Sequence, residues 1–465
     1  MKYCALIFFF LFIVRIQAQD QPNVVLILAD DLGYGDVGCY GSRDIKTPNI
    51  DRLATEGVRF SNFYSNGPEC SPTRAALLSG LYQQRIGGLE CAIGAGNIGR
   101  YDEAAWLVDK KELGLPREYC VLPRELKKAG YNTAIIGKWH LGYEEKFRPH
   151  NQFFDYSFGT FGIGGEYFYH VERGPINLDD STFTGIHTLM KNGKETFRDG
   201  YYSTHLFTDE ARAWLNQQNN KTPFFLYLPY TAPHTPFQGP NDFSEKPFTN
   251  EEWGTRNKSR KTYAEMVEEM DKGIGQVLDV LERKGLAKNT IVIFFSDNGG
   301  TKMSDNGVFS GYKGQVYEGG IRVPCIIKWP SMIPENSASD QASISFDLTL
   351  SIIARAGADI SSLDLDGYDI LSHVIDYKTD FDRTLFWRKK REESVVKAVR
   401  DGSMKLVVEY ESDVLKNKKL YNLKTDPCES ADLAEANPQM AKKLFEKLSG
   451  WEKEVQSERL SEMKK

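Results

Sequence analysis

The chain has 465 residues, with 58 Lys and Arg intermixed among 64 Asp and Glu and a formal net charge of −6. This length suits one large α/β domain with a smaller one beside it, and the mildly acidic, dispersed charge gives no nucleic-acid footprint, so no nucleic-acid partner is expected. An anionic substrate must be drawn by local charge in a site, because the overall field weakly repels it.

In chain order, Met1-Lys2, the apolar run "CALIFFFLFIV" and the small residue Ala18 read as a signal peptide over 1–18. The run is too short to span a bilayer comfortably. The expectation is an exported protein, periplasmic or secreted, with no stable membrane insertion after cleavage. "NVVLILADD" follows as a buried strand ending in Asp30-Asp31. "CSPTRAALLSG" reads as a helix with Pro72 in an opening position and Gly80 at its end. That places Cys70 against the helix's first turn and Arg74 one turn on. Residues 87–117, with "GGLECAIGAGNIGRYDEAAW", lie between this helix and "LPREL". A short helix around Leu122–Ala129 stops at Gly130, and "YNTAIIGKWH" then runs to Lys138 and His140.

Residues 159–175 are rich in Gly and aromatics. "DEARAWLNQQ" is helical, and the strand in "PFFLYLPYTAPH" ends near His234. The clearest helix spans Tyr263–Gly285, with Tyr263, Met266, Val267, Met270, Ile274, Val277, Leu278 and Leu281 on one 3.6-period face. "TIVIFFSDN" is the strand after it and ends in Asp297-Asn298. Lys313 lies in the glycine-rich "GYKGQVYEGGIRVP". From about Phe381 the pattern changes to short antiparallel strands and a closing amphipathic helix, Pro438–Arg459. The alternation of apolar runs and helices predicts a largely parallel sheet sandwiched by helices. The expected division is a catalytic domain over 19–378 and a smaller C-terminal α+β subdomain over 379–465, with a short antiparallel sheet.

Four predicted strands end in polar clusters, and in open α/β sheets ligands bind beyond the carboxyl ends of the strands. Asp30, Asp31, Asp297 and Asn298 offer hard oxygen donors, which suit Ca²⁺, or Mg²⁺ second, rather than a softer metal. A divalent cation would let three carboxylates share a small volume. Arg74, Lys138, His140, His234 and Lys313 form a basic set able to hold an oxyanion beside it. Each alone has an ordinary alternative: Asp and Asn are common after strands, and a single His is commonly structural. Cys70 has three readings: a buried structural thiol, half of a disulfide, or a nucleophile. Apart from Cys4, the others are Cys39, Cys91, Cys120, Cys325 and Cys428, too sparse for a disulfide scaffold. Cys91 and Cys120 are a candidate pair. His150, His170, His187, His205 and His373 have no strand-end context.

"CSPTR" followed by "AALLSG" resembles the C-x-P-x-R signature of the formylglycine-dependent sulfatases, in its cysteine form. "ILADDLGYGD", "TPNIDRLATEGVRF", "GKWHLG", "APHTPF", "FSDNGG" and "YKGQVYEGGIRVP" occur in that family's order, and "FDLTLSIIARAGA" and "LYNLKTDPCE" are similar to it as well. The resemblance runs from about residue 22 to residue 430. It implies an alkaline-phosphatase-like fold, one Ca²⁺, and conversion of Cys70 to formylglycine by a formylglycine-generating or sulfatase-maturating enzyme. One hydroxyl of the aldehyde hydrate would attack sulfur in line and the other would then release sulfate, a covalent route with a built-in exit. The resemblance assigns Asp30, Asp31, Asp297, Asn298 and residue 70 to calcium. Arg74, Lys138 and Lys313 would go to the hydrate and the sulfate oxygens. His234 would be the acid for the leaving alcohol and His140 the base for sulfate elimination, with Asp297 helping to deprotonate the attacking hydroxyl. One departure is Phe153, where the family usually shows Gly before Phe-Asp.

The implied substrate is a sulfated carbohydrate such as ulvan, a carrageenan-type galactan or a glycosaminoglycan. Specificity is expected from 87–117 and 159–175, with Tyr101, Tyr167, His170 and Arg388 as candidate contacts beside their ordinary core readings. Two rivals are a phosphonate or phosphate ester hydrolase of the same superfamily and a catalytically silent carbohydrate-binding relative.

Overall fold

The computed structural model describes residues 21–162, 164–170, 189–244, 248 and 252–465. The signal-peptide reading, His187 and part of the 159–175 segment lie outside them. No helix among the described residues is long and apolar enough to cross a membrane.

Ten strands form one mixed sheet in the order Ser337–Ser339, Val58–Phe60, Cys325–Lys328, Thr290–Ser296, Asn23–Ala29, Phe224–Pro229, Asn132–Lys138, Tyr156–Thr160, Leu189–Lys191 and Lys194–Thr196. The central pairings, from Thr290–Ser296 across to Tyr156–Thr160, are all parallel. The strand Asn23–Ala29 is apolar at nearly every position because both of its faces are covered. Val24, Leu26 and Leu28 pack with Ala75, Leu77 and Leu78 of the helix Cys70–Ser79, Leu122 and Leu126 of Val121–Lys128, and Leu348 and Ile352 of Ser345–Arg355. Val25, Ile27 and Ala29 face Phe207 and Ala211 of Ser203–Gln217 and Met266 and Met270 of Arg260–Arg283. The expected sandwich of helices about a mostly parallel sheet is what the chain builds.

Local chemistry sets the ends of these elements. The helix predicted over Tyr263–Gly285 spans Arg260–Arg283, because the Ser259 side chain accepts the Thr262 N–H and starts it a turn earlier. Gly80 ends the helix Cys70–Ser79 at φ 77, the left-handed conformation glycine tolerates. Gly137 lies where a Cβ would come within 2.0 Å of the Pro229 carbonyl oxygen, so glycine lets the strand carrying Lys138 pass its neighbour closely. Phe153 adopts φ 65, which accounts for a glycine preference there, and the Arg117 guanidinium lies 4.4 Å from its ring centroid.

The C-terminal part holds a four-stranded antiparallel sheet, Thr384–Arg391, Ser394–Asp401, Met404–Glu411 and Val414–Asn422. Its strands are eight or nine residues long, longer than the sequence pattern suggested. The predicted closing helix is two. Pro438–Glu454, capped by Asn437, ends before the buried Val455, and the Ser457 side chain then caps Glu458–Met463.

A buried ionic cluster joins this sheet to the large one. Lys405 Nζ lies 2.8 Å from both Glu318 Oε1 and Glu429 Oε1, all within the interior. Glu318 Oε2 accepts the Tyr64 hydroxyl at 2.6 Å, and Arg400 donates to that hydroxyl at 2.6 Å. Removing one member of such a group strands the rest, so Lys405→Met lowers the unfolding free energy by about 3–5 kcal/mol, read as a fall in the urea midpoint. Burial pushes Glu318 up, but Lys405, Arg322 and Arg400 overcome it and hold the carboxyl at about 2 against an ordinary 4.5. A carboxylate held low stabilises the fold above its unfolded value and loses that contribution as pH falls toward its folded value. The stability gap between wild type and Glu318→Gln therefore narrows as pH drops from 4.5 to about 2. Urea unfolding at several pH values measures it, and a gap independent of pH would refute the ion-pair account.

Candidate active site

The sheet order explains why distant motifs meet. Thr290–Ser296, Asn23–Ala29, Phe224–Pro229 and Asn132–Lys138 are four adjacent parallel strands, so their carboxyl ends lie side by side. Asp297-Asn298, Asp30-Asp31, His234, and Lys138 with His140 leave from those ends. The helix Cys70–Ser79 packs over the same region and brings Cys70 as its first residue.

Three buried carboxylates are each met by a cation. Lys138 Nζ lies 2.5 Å from Asp30 Oδ2. Lys313 Nζ lies 2.7 Å from Asp31 Oδ2, and Arg74 puts Nε and Nη2 at 3.0 and 2.8 Å from Asp297 Oδ2. Arg74 Nη2 is also 3.6 Å from Asp30 Oδ1. Cys70 Sγ sits between these pairs, 3.2 Å from Asp30 Oδ1 and 3.5 Å from Lys138 Nζ. His234 Nε2 is 3.7 Å from Asp31 Oδ2, and its Nδ1 donates to the Thr235 carbonyl at 2.5 Å. Asp31 (φ 69) and His140 (φ 59) both hold left-handed backbone, a conformation that costs non-glycine residues free energy and gathers at functional sites.

The electrostatics follow from burial. Burial and then the Asp30 carboxylate push the Cys70 thiol well up, which keeps it protonated as an unmodified cysteine. Burial and Asp30 push Asp297 up to about 6 against the pull of Arg74 and Lys138. Burial also raises Asp31, but Lys313, His234 and Lys138 outweigh it and hold that carboxyl well below the usual range. His234 is lowered to about 3 by burial, Lys313 and Lys138. His140 is lowered well below its ordinary value by burial and Lys138. It is a neutral base whose Nε2–H donates to the Ile93 carbonyl at 2.8 Å. Its Nδ1 is buried and has no hydrogen-bond partner among the described residues.

The donor set can hold a metal. Atoms of Asp30, Asp31, Cys70 and His234 lie within 4.8 Å of one another. Asn298 Nδ2 donates to Asp31 Oδ1 at 2.9 Å, which leaves its buried Oδ1 without a partner among the described residues. An orphaned amide oxygen beside carboxylates is what a hard cation would satisfy. All ten residues of the combined catalytic and metal prediction thus meet at one end of the sheet.

Other expectations fare differently. Cys91 and Cys120 form no pair: both thiols are free, and Cys120 Sγ is directed to the Gln152 carbonyl at 3.7 Å. Tyr101 and His170 are buried and bonded within the protein, to Glu103 and to the Tyr201 carbonyl. Tyr167 donates to the carbonyls of Thr231 and His234, so it braces the His234 turn from inside. Arg388 is paired with Glu90 and Glu452. His150, His205 and His373 pair with Glu145, Glu269 and Asp380. Sequence reasoning missed the Ile93 carbonyl on His140, a main-chain contact that no side-chain pattern announces. It also missed the Tyr227 hydroxyl, buried beside Arg74 and disguised within an apolar strand.

The known proteins that this chain resembles point to one family. The sulfatase family model matches residues 22–358, and a model described as N-sulphoglucosamine sulphohydrolase, C-terminal, matches 306–455. Human N-acetylgalactosamine-6-sulfatase is 34% identical over 398 residues, covering 80% of this chain and 69% of that protein. The crystal structure of Ps i-CgsB in complex with k-i-k-neocarrahexaose superposes with a TM-score of 0.78 at 31% identity, covering 93% of each chain. The structure of BT4656 with D-glucosamine-2-N,6-O-disulfate, at 21% identity, a TM-score of 0.70 and coverage of 94% and 98%, shares the fold. The chain belongs to the sulfatase family of the alkaline phosphatase superfamily and is a sulfuric ester hydrolase.

Proposed function

We propose that this sulfatase is exported and releases sulfate from a sulfated carbohydrate, with residue 70 converted from cysteine to formylglycine and one Ca²⁺ in the site. The observation that carries the reading is the packing of Asp30, Asp31 and Asp297 against Lys138, Lys313 and Arg74 around a single cysteine at a helix N-terminus. These six charges cancel. A divalent cation held by Asp30, Asp31, Asp297, Asn298 and residue 70 would leave the pocket with two positive charges, an excess that draws a singly charged sulfate ester and offsets the charge of the sulfate dianion it releases. Formylglycine, formed by a maturating enzyme, supplies as its hydrate a nucleophile that can also release the bound sulfate.

The chain's own groups divide the remaining work. Arg74, Lys138 and Lys313 bind and orient sulfate oxygens, and the first turn of the helix Cys70–Ser79 adds main-chain dipoles of the right sign. His234 takes a proton as the anionic ester arrives beside Nε2, since added negative charge raises a histidine, and returns it to the leaving alcohol. His140, neutral with its Nδ1 available, accepts the proton whose loss frees sulfate. The glycan-related relatives support carbohydrate as the alcohol side: one acts on N-acetylgalactosamine 6-sulfate by name and another was crystallised with a carrageenan-type hexaose.

Purified, matured protein is expected to release sulfate from at least one member of a panel of sulfated galactan, ulvan and glycosaminoglycan oligosaccharides, measured by ion chromatography. Phosphate release from matched phosphate esters should be much slower. Cys70→Ala, with the fold intact by circular dichroism, lowers turnover at least about a thousandfold. No release across the panel with residue 70 verified as formylglycine by mass spectrometry would sink the reading. Stripping with EGTA abolishes activity and Ca²⁺ restores it. A hundredfold excess of Ca²⁺ over its Kd adds about 2.7 kcal/mol to stability, if the ion binds only the folded chain. An unchanged Tm after stripping and readdition would argue against the ion.

A further inference from the structure

The proposed chemistry does not use the buried carboxylate directly before Cys70. Glu69 is 3% exposed. It occupies the position ahead of the helix Cys70–Ser79 but makes no side-chain cap there. Its Oε2 instead accepts the Ala92 N–H at 2.7 Å. Its Oε1 lies 3.0 Å from Lys389 Nζ and 3.3 Å from Arg391 Nη1. Both cations come from one strand of the C-terminal sheet, Thr384–Arg391. Side chains alternate along a strand, so in "RKKR" Lys389 and Arg391 meet Glu69 while Arg388 and Lys390 meet Glu90, at 2.5 and 3.0 Å.

Two branches run from Glu69 to the reacting groups. On one, Ala92 is followed by Ile93, whose carbonyl takes the His140 Nε2–H at 2.8 Å. Ile93 N donates to Ser71 Oγ at 3.1 Å, and Ser71 Oγ donates to the His140 carbonyl at 2.9 Å. The Ile93 carbonyl sets the His140 tautomer, since a hydrogen at Nε2 leaves Nδ1 as the acceptor. On the other branch, Lys389 Nζ also donates to the Gly314 carbonyl at 2.8 Å. Gly314 follows Lys313, and its own N–H donates to the Pro68 carbonyl at 2.7 Å. One ammonium from the C-terminal sheet thus ties the residue before Cys70 to the residue after Lys313.

Resting on the sulfatase reading above, we propose that Glu69 and Lys389 are positioning residues. Their ion pair holds the Ile93 carbonyl on His140 and the Lys313 loop beside residue 70, so the C-terminal sheet sets the alignment of the catalytic groups. Neither residue touches the ester. Misalignment of a reacting group affects turnover more than ground-state binding.

The test uses the full-length matured enzyme on an oligosaccharide that wild type desulfates, with rates normalised to formylglycine content by mass spectrometry. Lys389 lies far along the chain from the modified cysteine, so Lys389→Met is the primary variant. Its kcat should fall about tenfold or more, with KM within about twofold and Tm within a few degrees. Lys389→Arg, which keeps charge and reach, should recover most of that loss. Lys390→Met, on the other face of the same strand, should retain kcat. Glu69→Gln combined with Lys389→Met should lose less than the sum of the two single losses in activation free energy, because both variants remove the shared Glu69–Lys389 ion pair. Wild-type kcat in Lys389→Met, an equal loss in Lys390→Met, or fully additive losses would each overturn the inference while leaving the sulfatase reading standing. If matured wild type releases no sulfate at all, that reading fails and this inference falls with it.

Discussion

Everything at the site depends on three carboxylates held at zero or near-zero exposure beside three cations. An isolated buried carboxylate would take up a proton instead of staying charged. Here the Lys138, Lys313 and Arg74 partners make ionisation tolerable, and each partner comes from a different segment of chain. The charges therefore cannot be satisfied until the strands ending at Lys138, Asp30 and Asp297, the helix carrying Arg74 and the Lys313 loop are all in place. Asp297 shows the tension that remains: it is pushed up to about 6 even with Arg74 against it. A further cation beside Asp30 and Asp31 would relieve that tension, and the orphaned Asn298 oxygen lies in the same cluster.

The C-terminal sheet takes part in this balance from outside. Lys405 pairs with Glu318 and Glu429 at one contact, and Lys389 and Arg391 pair with Glu69 at another. The first contact lies near Tyr64 and the second immediately ahead of Cys70. A buried ion pair is weak evidence for net stability, since apolar replacements often do as well. Here the pairs fix register: Lys389 and Arg391, at alternate positions of one strand, both reach Glu69.

The sheet's core was legible because strands buried on both faces read as unbroken apolar runs, and "NVVLILADD", "PFFLYLPY" and "TIVIFFSDN" do so. Their polar ends were legible for the same reason: Asp30, Asp297 and Lys138 interrupt chains of Val, Ile, Leu and Phe. Contacts made by the main chain escaped, as with Ile93 on His140. So did ion pairs between residues hundreds of positions apart, such as Glu69 with Lys389, because each charge alone looks like a solvated surface residue. Val455 and Ser457 escaped for a smaller reason. The helical period runs through them, and only the cap at Ser457 reveals that a new helix begins.

Exposure grades the site in depth and thereby orients the substrate. Asp30, Arg74, Asp297 and Lys138 are fully enclosed, the His234 side chain is 6% exposed, and that of Lys313 is 23% exposed. Solvent therefore reaches this cluster most freely past Lys313 and His234. A small anion entering by that route would meet Lys313 first, with residue 70, Lys138 and Arg74 deeper in the pocket. The organic part of an ester would stay on the outer side, beside His234, the acid proposed for the departing alcohol. The burial gradient thus fits a sulfate group at the floor of the pocket and the rest of the ester at its mouth. Recognition of the alcohol side would then fall to residues around that mouth, because the enclosed floor is taken up by its own ion pairs.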